Sequence, residues 1–252
     1  MLSAAKRQTY ERMEVQVGHR VLDVGCGPGS DTIPLADLVG DTGQIHGVDF
    51  DAGMDEEARA RATTSRLGER VLHRQADATA LPFDDAVFDA CRSERLFQHL
   101  PDPAAGLAEM IRMTRPGGRI VVLDTGYGSL NIDSEVLEVE RLLAGHFRSM
   151  MNSPFAARSL YRSFKTASLD EVSVEVVPLP VDDLGVFSQT FLLDRVLGEA
   201  EKAGVITGDQ SRRFRADLEQ AAAIDGFFAS VQMLLVSGRK PEVTNGVGAP
   251  TV

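Results

Sequence analysis

Short apolar runs alternate with stretches of helical periodicity along the first half of this chain. Five of these runs predict buried strands, and the stretches between them predict crossover helices. One helix has a clear start, because Asp102 can cap it and Pro103 suits its first position; its pattern continues to Arg115. The alternation predicts an α/β fold built on a parallel sheet. The predicted strands are Arg20–Val24, Gln44–Asp49, Val71–Gln75, Val87–Cys91 and Arg119–Asp124.

The pattern changes after Asp124, where Gly126 and Gly128 predict a flexible turn. We expect the segments 126–160 and 182–226 to form a helical lid over a substrate, although the apolar face of these helices could instead be a dimer surface. The elements predicted in this half are helices over 133–151 and 158–165, a strand over Val172–Val177, two helices within 182–226 and a last strand over Phe227–Lys240.

Three glycines follow the first predicted strand. Gly25, Gly27 and Gly29 can adopt positive φ and let the backbone approach a ligand without a Cβ in the way. The helix that begins after them offers free N–H groups to an electron-rich ligand. Their spacing departs from the G-x-G-x-x-G fingerprint of dinucleotide sites, and the carboxylate of Asp23 would repel a phosphate. The motif therefore favours a ligand with a cationic amine, although a tight turn without a ligand is the simpler alternative.

Two acids end later strands of the same predicted sheet. Asp49 closes the second strand 24 residues after Gly25, near the offset of roughly 20 residues at which an acid binds the two hydroxyls of a ribose. Asp77 follows the third strand. The carboxyl ends of parallel strands meet at one edge of a sheet, where ligands bind in open α/β folds. Both acids are therefore candidate ligand contacts.

The glycine turn and the two strand-end acids, in this order among the predicted strands and helices, resemble the class I S-adenosylmethionine (SAM) methyltransferases. The pattern is most similar to the branch typified by ubiquinone and menaquinone methylation, which also holds many natural-product methyltransferases. The resemblance covers residues 15–125 with specific motifs and extends more loosely to Phe227–Lys240. It implies a Rossmann-like, seven-stranded, mostly parallel sheet with helices on both faces and an antiparallel last strand. It also implies SAM as cofactor and S-adenosylhomocysteine (SAH) as product.

The resemblance gives each matching position a role in holding SAM. Two of these roles have simpler alternatives, because Met54 could be a helix core residue and Asp77 could cap a turn. The implied contacts are Asp23, Gly25, Cys26, Gly27 and Gly29 for the methionine part, Asp49 for the ribose hydroxyls, and Phe50, Met54, Asp77 and Ala78 for the adenine.

Charged residues crowd the exit of the fourth predicted strand. Arg92 or Ser93 could meet the SAM carboxylate. Glu94 is a candidate catalytic residue, although it could form only a local ion pair with Arg95. His99 matches a histidine common in this branch, and an ordinary imidazole pKa near 6.5 suits a general base. Alternatively, His99 could have a structural role, in which its side chain caps or bridges to the turn at Pro101 and Asp102.

Four parts of the chain are predicted. Residues 1–14 form an N-terminal lid helix that folds over the SAM pocket, as in relatives of this type, and 15–125 form the SAM-binding core. Residues 126–240 complete the sheet and carry the helical lid, and 241–252 form a disordered tail. Tyr10 is then a candidate catalytic or substrate contact, although an aromatic on a helix surface needs no such role.

Composition narrows the functional classes. A length of 252 residues suits one large α/β domain with an added lobe, and a net charge of −11 without a basic stripe disfavours a nucleic-acid partner. The two cysteines, Cys26 and Cys91, make neither a metal-ligand pair nor a disulfide framework, so we expect no metal and a reducing cytoplasm. No apolar run of about 18 residues and no signal peptide are visible, so we expect no membrane association.

The sequence therefore predicts methyl transfer from SAM to an O, N or C nucleophile of a small, largely apolar metabolite in secondary metabolism. A metal is not needed for this chemistry, and a base is needed only for some nucleophiles. A homo-oligomer is possible. Two alternatives keep SAM without methylation, namely an enzyme that uses the sulfonium charge to promote cyclisation or rearrangement, and a non-catalytic SAM-binding partner protein.

Overall fold

A computed structural model describes residues 2–242, with side chains from residue 5 onward. The strands are β1 Arg20–Val24, β2 Gln44–Asp49, β3 Val71–Gln75, β4 Phe88–Glu94, β5 Thr114–Ile132, β6 Asp170–Val181 and β7 Ala229–Arg239. The helices are α1 Leu2–Arg12, α2 Thr32–Val39, α3 Ala52–Thr64, α4 Pro103–Met113, α5 Leu137–Ser149, α6 Ala156–Thr166, α7 Leu184–Thr190, α8 Leu193–Lys202 and α9 Gly208–Ala223, with a short 3₁₀ helix at Phe97–His99.

The seven strands form one sheet in the order β3-β2-β1-β4-β5-β7-β6. β1 pairs in parallel with β2 and β4, and β4 pairs in parallel with β5, whereas β7 runs antiparallel to β5 and β6. The chain moves outward from β1 to β3 and then returns to place β4 on the other side of β1. Ligands bind beyond the carboxyl ends of strands at such a reversal. The predicted fold class and its antiparallel last strand are confirmed.

Consecutive residues of the central strands are buried on opposite faces of the sheet. Val21 packs in a cluster with Leu35 of α2, whereas Leu22 packs on the other face with Phe88 and with Phe164 of α6. Each such side chain contributes on the order of 1.5–3 kcal/mol by its removal from water. This two-sided burial explains why the strands are continuous apolar runs rather than alternating ones.

A second apolar cluster is built by α5, α7, α8 and α9 against the far ends of β5 and β7. Its centre includes Phe187 and Phe191, whose rings stack with centroids 4.8 Å apart. Ala221, on the helix face that suggested a dimer surface, is half-buried and packs against this cluster. The other apolar residues of that face are buried inside the cluster, so the chain itself covers them: Leu193, Val196, Leu197, Ala200, Phe214 and Leu218. By contrast, α6, which begins in the predicted lid segment 126–160, packs on the sheet.

Several predicted boundaries from β4 onward are wrong. β4 continues to Glu94, three residues beyond its predicted end, because Arg92 in this extension pairs with the buried Asp23 and with Glu94. β5 continues to Ile132 through the predicted turn at 126–128, because β7 supplies a pairing partner, with a register irregularity between Gly126 and Asn131. The segment 182–226 holds three helices rather than two.

The structure bears on two further expectations only within residues 2–242. No helix there combines the length and the apolarity that a membrane crossing requires. No group of three or more His, Cys, Asp or Glu side chains is arranged to hold a metal ion in the same range. Most of the predicted disordered tail, residues 243–252, lies outside the described residues.

Candidate active site

Three adjoining cavities lie beyond the carboxyl ends of the central strands. The first cavity has a volume of about 350 Å³ and is lined by Asp49 and Asp77. The middle cavity, about 100 Å³, is lined by Asp23 and shares Gly25 with the first. The apolar cavity, about 340 Å³, shares Arg95 with the middle one. The shared residues place the three cavities next to one another in this order.

The glycine turn forms the wall between the first two cavities. The N–H groups of Gly25 and Cys26 donate to the Val48 carbonyl of β2 at 2.8 and 3.0 Å, which fixes the turn against the sheet. Gly25 and Gly27 have φ of 74° and 52°, a left-handed conformation that favours glycine. A Cβ on Gly27 would have no atom within 4 Å and would project into open space beside the middle cavity. The turn therefore leaves an open backbone surface of the kind a ligand needs.

Carboxylates and exposed apolar groups share the wall of the first cavity. Asp49 accepts one hydrogen bond on each oxygen, from the Gly27 N–H at 2.8 Å and the Asp51 N–H at 3.0 Å. Each of these oxygens keeps a lone pair for a ligand. Phe50 is 74% exposed at the same edge, and Ala78 lines the wall.

Asp77 caps a turn and also lines the first cavity. Its Oδ1 accepts from the N–H and the hydroxyl of Thr79 at 2.8 and 2.7 Å, so it caps a turn. These hydrogen bonds lower the pKa of Asp77, which is therefore ionised at neutral pH. The residue also lines the first cavity, where its second oxygen can accept from a ligand.

Arg92 is the centre of a buried ion-pair network at the middle cavity. Its side chain is 1% exposed, and it is the register partner of Asp23 on the neighbouring strand. Its guanidinium donates to Asp23 at 2.9 Å, to Glu94 at 2.5 Å and to the Thr9 hydroxyl at 2.9 Å. Asp31 lies 3.6 Å away. Three nitrogens of Arg92 thus have protein partners, and its charge compensates acids that would otherwise be buried alone.

The network shifts the pKa values of its acids in opposite directions. Burial raises the pKa of Asp23 to about 6, although the Arg92 charge opposes the shift. Burial also opposes ionisation of Asp31, but the charge of Arg92 and the hydrogen bond from Lys6 leave its pKa below the ordinary value. In total, three carboxylates, Asp23, Asp31 and Glu94, face three cations, Lys6, Arg92 and Arg95. The middle cavity is therefore close to electroneutral.

Helix α1 is attached to this network by side chains on one of its faces. Lys6 pairs with Asp31 at 2.7 Å and with Glu94 at 3.5 Å. Tyr10, one helical turn later, donates its hydroxyl to Asp31, and the guanidinium of Arg92 lies 5.4 Å from its ring centroid. Burial and this hydrogen bond raise the pKa of Tyr10. The phenol is thus occupied at the network and lines none of the cavities described above.

The apolar cavity lies between α7 and the extended ends of β5, β6 and β7. Asp182 and Asp183, both exposed, are among the residues that line it; Asp183 caps α7 by accepting from the Val186 N–H at 2.8 Å. The phenol of Tyr127 and the hydroxyl of Thr125 are polar groups in its wall. The apolar part of the wall is formed by Leu179, Pro180, Val181, Val186, Phe191, Val231 and Met233.

The remaining predicted residues lie at different depths around the site. His99 lines the first cavity, and its Nε2 is 3.0 Å from the Gln98 amide; burial lowers the pKa of His99. Cys26 lines the middle cavity, where burial raises the pKa of its thiol. Ser93 is fully buried in β4, and Met54 is 41% exposed on α3; neither lines one of the three cavities.

Gly29 lies behind the turn rather than at a cavity. A Cβ there would come within 3.0 Å of His73, so this glycine allows close packing under the loop. Sequence reasoning missed Lys6 and Asp31. The signals available were the four-residue spacing of Lys6 and Tyr10, and an acid two residues after the last glycine.

Residues 21–118 match the family model of a methyltransferase domain. The chain is 34% identical over 238 residues to an uncharacterized 37.1 kDa protein in transposon TN4556 of Streptomyces fradiae, covering 92% of this chain and 65% of that protein. It is 40% identical over 117 residues to the methyltransferase GfsG of Streptomyces halstedii, covering 46% and 41%. The chain therefore spans less than two thirds of the length of these two relatives.

The chain covers a larger share of the length of another relative. The chain is 31% identical over 175 residues to the demethylmenaquinone methyltransferase of Anoxybacillus flavithermus, covering 69% of this chain and 70% of that protein. Among solved structures, the YcgJ protein from Bacillus subtilis has a TM-score of 0.68 at 20% identity, covering 95% and 99% of the two chains. The [4+2]-cyclase SpnF has a TM-score of 0.58 at 21% identity, covering 95% and 82%. These two structures share the fold.

The match to a methyltransferase-domain model and the similarity to demethylmenaquinone methyltransferase agree with the resemblance carried by the glycine turn and the strand-end acids. The resemblance noted above is confirmed, and the chain belongs to the class I SAM-dependent methyltransferases, in the branch that includes demethylmenaquinone methyltransferase.

Proposed function

We propose that this protein transfers the methyl group of SAM to an O, N or C nucleophile of a small, largely apolar metabolite of secondary metabolism. The observation that carries the proposal is the series of three cavities, joined at Gly25 and at Arg95. Adenosine, methionine and methyl acceptor need three compartments in this order. The volume and apolar wall of the third compartment suit a small metabolite.

The residues of the first two cavities would hold the cofactor. Asp49 would accept from the ribose hydroxyls with its free lone pairs, and Asp77 from the adenine amino group. The glycine turn would hold the methionine part, with Asp23 acting on its amine through the buried network. These proposals fit the observed geometry because the carboxylates line the cavities and the turn leaves its backbone open.

When bound, SAM supplies a sulfonium methyl group that a nucleophile displaces directly, which leaves SAH. The protein would contribute mainly alignment and exclusion of water, worth several kcal/mol of activation free energy. Helix α1, attached through Lys6 and Tyr10, would cover the middle cavity during this step. The second apolar cluster would position the wall of the acceptor cavity.

The substitution Asp49→Ala tests cofactor binding. We expect the Kd of SAM, measured by calorimetry, to rise at least tenfold, since hydrogen bonds to a charged acceptor contribute about 1.5–3 kcal/mol. Asp51→Ala is the matched control. Asp51 caps α3 by accepting from the Gly53 and Met54 N–H groups at 2.8 and 3.0 Å, so its loss should reduce stability with little change in Kd. An unchanged Kd in folded Asp49→Ala would overturn the assignment.

Methyl transfer itself is tested by incubation with SAM that carries a deuterated methyl group, together with a metabolite extract of the source organism. Mass spectrometry should detect SAH and a labelled product. The alternative function is cyclisation or rearrangement by a SAM-bound enzyme without methylation. It is favoured by the charged residues beside an apolar cavity, and the cyclase SpnF shares the fold. A converted but unlabelled product, with no SAH, would support this alternative.

A further inference from the structure

Arg95 is a cation that lines both the apolar cavity and the middle cavity. Its Nε donates to Glu94 at 3.2 Å, and its side chain is 46% exposed. Within residues 5–242, its two terminal nitrogens have no hydrogen-bond partner. Two of the three nitrogens of this guanidinium thus remain available for a ligand, unlike those of Arg92.

The backbone of Arg95 has an unusual conformation for a residue with a side chain. Its φ is 52°, in the left-handed region, and its N–H donates to the Leu123 carbonyl at 2.8 Å. A non-glycine residue in this region costs on the order of 1 kcal/mol relative to the right-handed conformation. Glycine would avoid this cost, but it would leave the junction of the two cavities without a cation. Strain of this kind is concentrated at functional sites.

Charge is distributed unevenly along the apolar cavity. Asp182 and Asp183, both exposed, line the apolar cavity but not the middle one, whereas Arg95 lines both. At the middle cavity three cations, Arg95 among them, balance three carboxylates. Bound SAM, with a net charge of about +1 from its sulfonium, ammonium and carboxylate groups, would therefore leave that side positive. The side of the apolar cavity next to the middle one would then attract an anion, whereas Asp182 and Asp183 would repel one. An anionic group of an acceptor would therefore bind beside Arg95.

We propose that Arg95 is a specificity-determining residue that binds an anionic oxygen of the methyl acceptor. The substrate class is then an apolar molecule with a carboxylate, or with an acidic phenol or enol bound as its anion. This inference rests on the proposed function. The proton of an acidic hydroxyl leaves to solvent before transfer. A lone pair of the nucleophile then forms the bond to the methyl carbon, the carbon–sulfur bond breaks, and its electron pair stays on sulfur.

The test compares two probes of nearly equal shape, 2-naphthoate and neutral 2-naphthamide, by calorimetry on the SAH-loaded protein. We expect naphthoate to bind about tenfold more tightly than naphthamide, as a charge-assisted hydrogen bond predicts. Arg95→Gln should reduce this preference to less than about twofold while the affinity for naphthamide is kept. Arg213→Gln, at an exposed position on α9, is the matched control and should keep the full preference.

A second variant protects the test against misfolding. Arg95→Gly removes the same cation and suits the positive φ, so it should fold at least as well as the wild type and lose the same preference. Equal affinity of the two probes, binding of neither at about 1 mM, or a preference that survives both variants would overturn the inference. Failure of SAH itself to bind would instead overturn the proposed function, so the two failures are distinguishable.

Discussion

Replacement of Asp23 by Asn should change how the stability of this protein depends on pH. Asp23 is fully buried beside Arg92, and burial raises the pKa of its carboxyl from 3.8 to about 6. The folded state therefore binds this proton more tightly than the unfolded state does. The stability contribution of Asp23 is complete below about pH 4 and is lost as pH rises through about 6. A difference of roughly two pKa units corresponds to about 3 kcal/mol.

The assay is urea unfolding of wild type and Asp23→Asn at intervals between about pH 4 and pH 7. Asn stays uncharged throughout, so the free energy of unfolding of the wild type minus that of the variant isolates the Asp23 carboxyl. We expect this difference to fall by about 3 kcal/mol as pH rises. Asp37→Asn, at an exposed position on α2, is the control and should give a nearly constant difference.

The opposite sign would refute the reasoning. If the wild type gains stability relative to Asp23→Asn as pH rises, then the pKa of Asp23 in the folded protein lies below 3.8. The attraction of Arg92 at 2.9 Å would then outweigh burial and the repulsion of the neighbouring carboxylates. The buried ion-pair network would in that case increase the free energy of unfolding, rather than lower it in exchange for a role at the candidate site.

Three further predictions follow from other contacts. Because His99 lines the cavity of Asp49, His99→Ala should raise the Kd of SAM about three- to tenfold, and a lower kcat at unchanged Kd would instead support its predicted role as a base. Tyr10→Phe removes the phenol donor from Asp31 and should speed SAH dissociation about threefold in stopped-flow measurements; an unchanged rate would mean that the attachment of α1 does not limit release. Thr207→Ala disrupts the capping box of α9 and should lower the free energy of unfolding by about 1 kcal/mol without altering the Kd of SAM, and a changed Kd would show that α9 is coupled to the cofactor site.

Strands β1 to β3 could be predicted from the sequence because each of them is a short apolar run with a recognisable end. β1, β2 and β3 have the predicted bounds, since their apolar runs are closed by glycines or acids. The extension of β4 could not be predicted. Arg92 and Glu94 resemble loop residues in sequence, and only pairing with β1 brings Asp23 within reach of Arg92. Buried charges follow from tertiary partners that a local pattern does not contain.

The apolar cavity could not be predicted from the sequence for a related physical reason. Its wall combines Arg95 after β4, Tyr127 on β5, Leu179 on β6 and Met233 on β7. No sequence motif connects these four positions, which lie far apart along the chain. The position of Tyr127 also depends on β5 continuing through Gly126, which its composition alone predicts as a turn.

The cavities come from different parts of the chain, which has a consequence for divergence and design. The first and middle cavities are lined mainly by residues up to 101, whereas the apolar cavity is lined mainly by residues beyond 124. Arg95 lines both the middle and the apolar cavity. Under the proposed function, exchange of the 179–191 segment between homologues would change which acceptors fit, while the residues proposed to hold SAM stay the same. Acceptor preference could then diverge independently of cofactor binding, provided that the exchanged segment leaves Arg95 in place.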